Sequence, residues 1–342
     1  MPNKPQESTW RSPIVLADIL AARKRIGAKV LRTPLVQSSY LSQASGQPIW
    51  LKLEQQQRTG SFKLRGASNA VACLPEEAKA RGVVGVSTGN HGRGLAHAAS
   101  AAGVACSICM SSLVPANKVA AIREEGADVR IVGRSQDEAQ AEVNRLVAEQ
   151  GMTMLPPFDH PDIIAGQGTL GLEIMEQLPQ AGTFVIQLSG GGLISGIAVA
   201  LRAINSAARI IGVSMERGAA MYESQRMGKP TRVEELETLA DSLGGGIGSD
   251  NRYTFGIVRE LVDEIVLVNE AEIATGIAHA YWQERQIVEG AGAVTMAALL
   301  AGKINVTEPT VLLLSGANID LDLHHRIITD HRPGSSAEGN QA

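Results

Sequence analysis

One lysine, Lys63, lies in the Gly-flanked segment Ser61–Gly66, soon after the strand-like run Ile49–Glu54. Lysine is the side chain that condenses with aldehydes, and burial lowers its pKa enough to make it a nucleophile and a base. A lysine near the start of a helix is ordinarily a solvated surface charge. The segment therefore indicates aldehyde chemistry only if other segments supply the rest of a binding site.

A second candidate segment is the glycine-rich turn Ser189–Gly192, between the apolar run Thr183–Leu188 and an apolar helical pattern. Such a turn exposes backbone N–H groups at the positive end of a helix, which suits a phosphate. Ser195 breaks the G-x-G-x-x-G spacing of dinucleotide-binding turns, and the Gly-Lys-Ser/Thr ending of a P-loop is missing. A plain tight turn is the alternative.

Two further polar segments follow predicted strands. Val83–Val86 leads into Ser87–Gly92, where Asn90 can donate a hydrogen bond to a ring oxygen. Thr310–Leu314 leads into Ser315, whose hydroxyl could equally cap a helix. Asn90 could likewise be an ordinary turn residue. Because the carboxyl ends of parallel strands form ligand sites, these segments are expected to lie together.

The elements that must position these residues alternate, as in βαβ units. The predicted strands are 49–53, 83–86, 105–109, 128–132, 183–188, 210–213, 264–268 and 310–314. The predicted helices include 16–27, 66–74, 92–102, 115–125, 135–150, 170–177, 193–204, 270–284 and 293–301. This alternation predicts an α/β fold with parallel sheets.

The composition sets the class of protein. The chain has 342 residues, 44% hydrophobic and 19% charged, enough for one large or two ordinary α/β domains. A net charge of −4 gives no indication of a nucleic-acid or membrane surface. No apolar run reaches the ~18 residues of a membrane span, and the N-terminus lacks a signal-peptide core. These features, with only three cysteines, predict a cytoplasmic protein.

Cys106 and Cys109 form a C-x-x-C pair inside the apolar run Val104–Met110. In a strand, residues three apart point to opposite faces, so the two thiols cannot jointly hold a metal ion. We expect buried structural cysteines.

The four segments resemble the pyridoxal-phosphate enzymes of the tryptophan-synthase-β-like fold, in the serine/threonine dehydratase and serine racemase branch. The resemblance runs from about Leu16 to Ile327. Its motifs, in chain order, are Thr33–Leu35, Arg58–Ala67, Ser87–Gly92, Pro115–Lys118, Phe158–Asp159, Ile163–Thr169, Gly190–Leu193, Glu289–Ala293 and Leu314–Gly316.

The resemblance implies two open, twisted parallel-sheet domains with flanking helices. Residues 1–54 plus 155–330 would form a large cofactor-binding domain, residues 55–154 a small domain, and residues 331–342 a disordered tail. It also implies a homodimer.

The resemblance further implies site roles. Lys63, beside Phe62, would bind the aldehyde of pyridoxal 5'-phosphate covalently, Asn90 would bond the ring hydroxyl, and Ser315 would meet the pyridine nitrogen. Ser189, Gly190, Gly191, Gly192 and Leu193 would hold the phosphate. Backbone groups of Ser87, Thr88, Gly89 and His91 would bind the substrate carboxylate, and Glu289 is a further candidate near the cofactor.

The implied activity is an α,β-elimination. Lys63 would remove the Cα proton of a β-hydroxy amino acid, such as threonine, serine or one derived from hydroxyectoine, to give a 2-oxo acid or imine plus ammonia. The hydroxyectoine utilisation dehydratases are among the relatives that the chain resembles. A hydroxyl at the pyridine nitrogen, unlike a carboxylate, does not keep that nitrogen protonated, which favours elimination.

Three departures from the family pattern affect function. Thr88 stands where serine racemases carry a serine, so racemase activity stays open. Ser214, Gly218 and Ala220 stand at the equivalents of divalent-ion ligands, so no metal site is expected. Ser242 and Ser189 replace glycines, which suggests a substrate other than plain threonine.

Two alternatives come from other classes. A nicotinamide-dependent reductase is disfavoured by the missing G-x-G-x-x-G turn. A catalytically silent cofactor-binding protein would keep the same motifs but show no response to an amino acid.

Overall fold

The computed structural model of the chain describes residues 11–87, 89–114 and 116–332. The strands are β1 (Leu35–Ser38), β2 (Ile49–Leu53), β3 (Val83–Val86), β4 (Cys106–Met110), β5 (Asp128–Ile131), β6 (Thr153–Met154), β7 (Thr183–Gln187), β8 (Arg209–Met215), β9 (Glu264–Val268) and β10 (Thr310–Leu314). The first helices are α1 (Leu16–Ile26), α2 (Ser39–Ser45), α3 (Lys63–Cys73), α4 (Glu76–Arg81), α5 (Asn90–Ala101), α6 (Ala116–Glu124) and α7 (Gln136–Gln150). They are followed by α8 (Pro161–Gln177), α9 (Gly192–Ile204), α10 (Ala220–Met227), α11 (Thr254–Leu261), α12 (Glu270–Trp282), α13 (Gly290–Leu300) and α14 (Leu321–Asp330).

Two sheets organise these elements. The larger sheet has the strand order β1-β2-β10-β7-β8-β9, in which β1 is antiparallel to β2 and the other neighbours are parallel. The smaller sheet has the order β5-β4-β3-β6 and is parallel throughout. The predicted α/β class with two parallel sheets and flanking helices is therefore confirmed.

The strands β4, β7 and β10 are buried at every position. Parallel sheets show this pattern because their crossover helices cover both faces. Successive side chains of β7 point to opposite faces of the sheet. Val185 packs into the apolar cluster on one face, while Phe184 and Ile186 pack into the cluster on the other. The same rule separates Cys106 from Cys109, which lie in different clusters, so the predicted opposite orientation is confirmed. Burial raises the pKa of these two thiols to about 12 and about 11.

Helix α8 differs most from its prediction, since it begins at Pro161 and not near residue 170. Gly166, Gly168 and Gly171 weaken the helical signal of this segment. They are needed for packing, because a Cβ on Gly166 would lie 2.6 Å from the Arg65 carbonyl oxygen and one on Gly168 would lie 2.8 Å from the Gly196 carbonyl oxygen. These small residues let α8 pack closely against α3 and α9.

Other elements were not predicted. These are the edge strand β1, the two-residue strand β6, and helices α2, α4, α10, α11 and α14. Within the described part of the chain, no helix combines the length and the apolar composition that crossing a bilayer requires.

The domain division stays a proposal. Strands of the larger sheet come from residues 35–53 and 183–314, and strands of the smaller sheet come from residues 83–154. Of the predicted disordered tail, residues 333–342 lie outside the described residues.

A buried cluster of four charges joins β2, α3 and α8. The Arg65 guanidinium donates to both carboxylate oxygens of Glu54, at 2.8 and 2.7 Å, and lies 2.9 Å from a Glu173 oxygen. The Lys52 ammonium lies 2.6 Å from the other Glu173 oxygen. Glu54 holds a lowered pKa despite its burial, because Arg65 and Lys52 lie next to it. The cluster fixes the first turn of α3, which begins at Lys63.

We predict that Glu54→Ala destabilises the protein by about 3–5 kcal/mol, because it leaves the Arg65 charge buried without its bidentate partner. Denaturant unfolding of the two proteins measures the difference. The matched control is Glu149→Ala, which removes the exposed partner of Arg145 and should change the unfolding midpoint little. Equal effects of the two substitutions would contradict a stabilising role for the cluster.

Candidate active site

Lys63 is the first residue of α3. Two backbone contacts fix this turn beside the end of β10, since Phe62 N donates to Ser315 O at 3.1 Å and Ser61 forms an isolated bridge with Gly316. The Lys63 amine donates to the carbonyl oxygen of Pro157 at 2.8 Å. The lysine thus lies in the first turn of a helix, and not in a free loop.

The pKa of Lys63 is lowered to about 8 because its amine is surrounded by protein atoms, and the Glu289 carboxylate opposes this effect. Part of the side chain remains accessible because it lines a cavity. At pH 7 a group with this pKa is unprotonated in about a tenth of molecules, far more than an ordinary lysine. Lys63 therefore meets the requirement for a nucleophilic amine.

The glycine-rich turn joins β7 to α9, as predicted. Gly191 has a φ of 88°, which a residue with a side chain rarely adopts, and it caps the N-terminus of α9. Phe158 covers the turn so closely that a Cβ on Gly190 would lie 2.4 Å from its ring. The turn leaves backbone N–H groups at the positive end of a 13-residue helix. This geometry suits an anion.

One cavity brings most of the predicted residues together. It is lined by Phe62, Lys63, Asn90, Ser189, Gly190, Gly191, Gly192, Leu193, Glu289 and Ser315. Further lining residues, absent from the predicted roles, are Phe158, Gln187, Leu243 and Ala291, together with Ser242, which was noted only as a departure. Phe158 and Ala291 belong to family motifs, whereas no local signal marks Gln187 or Leu243.

One polar atom of this cavity, Gln187 Oε1, is buried without a hydrogen-bond partner among the described residues. Ser315 lies in the cavity wall directly after β10. A buried polar group without a partner is costly, so such groups mark positions where a ligand can supply one.

A second cavity adjoins the first and shares Lys63, Asn90 and Ser242 with it. Ser87, Gly89 and His91 line this second cavity, with Lys118, Pro157 and Asp241. Thr88 lies outside the described residues. The Ser87 hydroxyl accepts from Gly92 N at 3.0 Å, at the start of α5. Asn90 is the first residue of that helix, so it too lies in a helical turn.

The His91 imidazole is buried and neutral. Its Nε2 atom lies 2.9 Å from the Leu155 carbonyl oxygen, an acceptor, so Nε2 carries the proton. Burial, followed by the nearby Lys63 charge, lowers the pKa of His91 to about 4. The imidazole therefore fixes the start of α5 and is not a proton carrier near neutral pH.

Glu289 lies in the wall between the first cavity and a more open one. Its carboxylate accepts from Asn90 Nδ2 at 2.6 Å and from Asn318 N at 3.1 Å. Burial, followed by the Asp241 charge, raises the pKa of Glu289 to about 7. A direct contact between Glu289 and a substrate stays a prediction.

Among the described residues, no group of three or more His, Cys, Asp or Glu side chains is placed to hold a metal ion. Ser214, at one of the three positions equivalent to metal ligands, is buried in β8.

Residues 26–316 match the family described as "Pyridoxal-phosphate dependent enzyme". A Sinorhizobium fredii protein with the provisional name threonine dehydratase is 57% identical over 93% of this chain and 96% of its own length. The L-threonine ammonia-lyase of Thermotoga maritima is 43% identical over 92% of this chain and 78% of its own length. Among solved structures, maize serine racemase has a TM-score of 0.87 at 31% identity, covering 93% of this chain and 98% of that one.

We predict that Gly192→Ala weakens the binding of pyridoxal phosphate on the order of tenfold, because the new Cβ would lie 2.9 Å from the Phe158 backbone and open the turn. Alanine is the better helix former, so a loss cannot come from helix propensity. Titration of cofactor-free protein measures the affinity. The control is Gly246→Ala, where the nearest atom to the new Cβ is 4.0 Å away. Unchanged affinity in Gly192→Ala would contradict the role of the turn.

Proposed function

Because this chain belongs to the pyridoxal-phosphate-dependent enzyme family, we propose that it is an ammonia-lyase that dehydrates and deaminates a β-hydroxy amino acid. The products would be a 2-oxo acid and ammonia. The observation that carries the proposal is the Lys63 amine, buried and with a pKa of about 8, beside the glycine turn that begins α9. The two sequence relatives, both named for threonine breakdown, support the same reaction.

The residues of the first cavity fit the cofactor, pyridoxal 5'-phosphate. The turn from Ser189 to Leu193 offers backbone donors for the phosphate, and Phe158 leaves no room for a side chain at positions 190 and 192. The Ser315 hydroxyl can meet the pyridine nitrogen, while Phe62 borders the cavity. The second amide N–H of Asn90 makes only a long hydrogen bond, 3.4 Å, to the Ser242 hydroxyl and can donate to the ring hydroxyl in its place.

When bound, pyridoxal phosphate supplies a conjugated ring that withdraws electrons from the α-carbon of the substrate. Lys63 is the residue that would hold the cofactor aldehyde, and its amine would be free again once a substrate amine had replaced it. The free Lys63 amine then removes the Cα proton, for which a pKa of about 8 is well suited near neutral pH.

After loss of the Cα proton the bond from Cβ to the hydroxyl oxygen would break, and the hydroxyl would leave as water by taking the proton that Lys63 has received. The enamine released from the enzyme tautomerises to an imine, and water hydrolyses this imine to the 2-oxo acid and ammonia. Lys63 thus acts as the covalent anchor and as the base.

The substrate carboxylate is assigned to the second cavity. Backbone groups of Ser87, Gly89 and His91 lie at the start of α5, and a helix N-terminus stabilises an anion. Thr88, which is proposed to act with them, lies outside the described residues. The Ser87 hydroxyl and the His91 imidazole hold this turn in place through the Gly92 and Leu155 contacts. Glu289 is proposed to act near the cofactor.

Elimination is proposed over racemisation. Racemisation needs a second acid on the opposite face of the α-carbon, for which Thr88 is the candidate, and Thr88 lies outside the described residues. The similarity to maize serine racemase keeps racemisation as a side activity to measure. A homodimer and a cytoplasmic location complete the proposal, with the family as their support.

The experiment is a panel of 3-hydroxy amino acids that includes threonine, serine, 3-hydroxyaspartate and a hydroxyectoine-derived amino acid. We expect release of a 2-oxo acid and ammonia in equal amounts from at least one of them. Lys63→Ala should abolish turnover, because it removes both anchor and base. The control Lys79→Ala removes a lysine on the surface helix α4, outside the cavity, and should leave turnover unchanged.

A protein that binds the cofactor but releases no 2-oxo acid from any member of the panel would favour the silent binding protein. Formation of the opposite enantiomer without ammonia would favour the racemase. Turnover retained in Lys63→Ala would contradict the assigned role of this lysine.

A further inference from the structure

Four side chains form a continuous hydrogen-bonded row, and two of them, Asn90 and Glu289, line the first cavity. Arg93 Nη1 donates to Asn318 Oδ1 at 2.9 Å, and Asn318 Nδ2 lies 2.5 Å from Asn90 Oδ1. Asn90 Nδ2 in turn lies 2.6 Å from Glu289 Oε1. Asn318 Nδ2 also donates to the carbonyl oxygen of Thr59 at 2.9 Å. The row therefore links α5 of the smaller sheet to the segment after β10 of the larger sheet.

The chemistry of the row fixes the orientation of each amide. A guanidinium can only donate, so Asn318 must turn its oxygen towards Arg93. Its NH₂ group then faces the Thr59 carbonyl, which can only accept, and the Asn90 oxygen. Asn90 must consequently turn its own NH₂ group away from Asn318, towards Glu289. The orientation of both amides thus follows from fixed donors and acceptors, which removes the usual ambiguity between oxygen and nitrogen.

Two glycines leave room for this row. Gly60, with a φ of 73°, would place a Cβ 2.5 Å from Asn318 Oδ1. A Cβ on Gly316 would lie 2.6 Å from Glu289 Oε1 and 3.3 Å from Asn90 Nδ2. Because any side chain at position 60 or 316 would collide with the row, the two glycines are required for these hydrogen bonds to form.

We propose that Asn318, itself oriented by Arg93, is a positioning residue that fixes the Asn90 amide with its NH₂ group towards the cofactor ring. The inference rests on the proposed function, in which Asn90 donates to the ring hydroxyl. Glu289 takes one of the two Asn90 N–H bonds. The other makes only a long hydrogen bond, 3.4 Å, to the hydroxyl of Ser242, which lines the same cavity, so a ring oxygen can compete for it.

A rotated Asn90 amide would present an oxygen where the ring oxygen needs a donor. Two facing acceptors repel, so the rotated state cannot hold the cofactor ring in the same way. The rotated state is opposed by the Asn318 NH₂ group and, when Glu289 is ionised, also by its carboxylate. Neither Asn318 nor Arg93 needs to touch the reacting atoms for this effect.

Two substitutions can reverse the donor and acceptor roles of Asn90 in the row. Asn318→Asp replaces the donor that faces Asn90 by an acceptor, and the new carboxylate keeps the pairing with Arg93. In the double variant Asn318→Asp with Glu289→Gln, the new amide NH₂ group at position 289 can donate to a rotated Asn90 oxygen. The hydrogen bonds between these side chains are then restored, but in the opposite direction.

The experiment compares the cofactor-free wild type with both variants, by thermal unfolding and by titration with pyridoxal phosphate. We expect Asn318→Asp to lower the unfolding temperature and to weaken cofactor binding on the order of tenfold. The double variant should recover part of the stability while its cofactor affinity stays as weak as that of Asn318→Asp. A residue with only a structural role would not separate these two measurements.

The control is Asn69→Asp on α3, away from the cavity. Asn69 makes the same kinds of contact as Asn318, since it accepts from Arg25 at 3.1 Å and donates to the Asp162 carbonyl at 2.8 Å. The Asn69→Asp protein should unfold at a lower temperature than the wild type but bind pyridoxal phosphate with the same affinity.

The results distinguish a failure of the proposed function from a failure of the role assigned to Asn318. A wild type that does not bind pyridoxal phosphate would overturn the proposed function and this inference with it. A wild type that binds, with equally tight binding in Asn318→Asp, would overturn the inference alone. Recovery of affinity together with stability in the double variant would also overturn it.

Discussion

The desolvation of one amine, that of Lys63, is the constraint on which the rest of the site depends. An ammonium group taken out of water is unfavourable, so its proton is held less tightly and the pKa falls to about 8. The nearby Glu289 carboxylate moderates the shift but, with a pKa raised to about 7, does not abolish it. A nucleophilic lysine near neutral pH results.

A buried amine is useful only if its position is fixed, and the fold fixes it from two sides. On one side the turn before Lys63 is hydrogen-bonded to the segment after β10, through Phe62 N and Ser315 O. On the other side Arg65 is held by Glu54 in the four-charge cluster. A cation in the first turn of a helix is disfavoured by the helix dipole, so this pairing also offsets a local cost. Lys63 lies between these two anchors.

The sequence allowed much of this arrangement to be predicted, since strands bury continuous apolar runs and the polar segments after them meet at one sheet edge. Lys63, Asn90, the Ser189–Leu193 turn and Ser315 line one cavity for this reason. Long-range contacts could not be predicted in the same way. The glycines of α8 weaken its helical pattern, and their purpose becomes clear only from the neighbouring backbone.

The orientation of Asn90 is the strongest example of what local pattern could not reveal. It depends on Asn318, which lies 228 residues away in the chain, and on Arg93, which follows Asn90 on the same helix. Neither residue has a property that marks it in isolation. Their effect exists because two segments from different sheets meet, with donors and acceptors in a fixed order.

Trapping the lysine–aldehyde bond tests the central claim most directly. Cofactor-free protein would be mixed with one equivalent of pyridoxal phosphate at a series of pH values, reduced with borohydride, and mapped by peptide mass. We predict that the tag is found on Lys63 and that the rate of its formation rises with pH until about 8, where the amine loses its proton. A tag on another lysine, no tag, or a rate that still rises towards pH 10 would contradict the account.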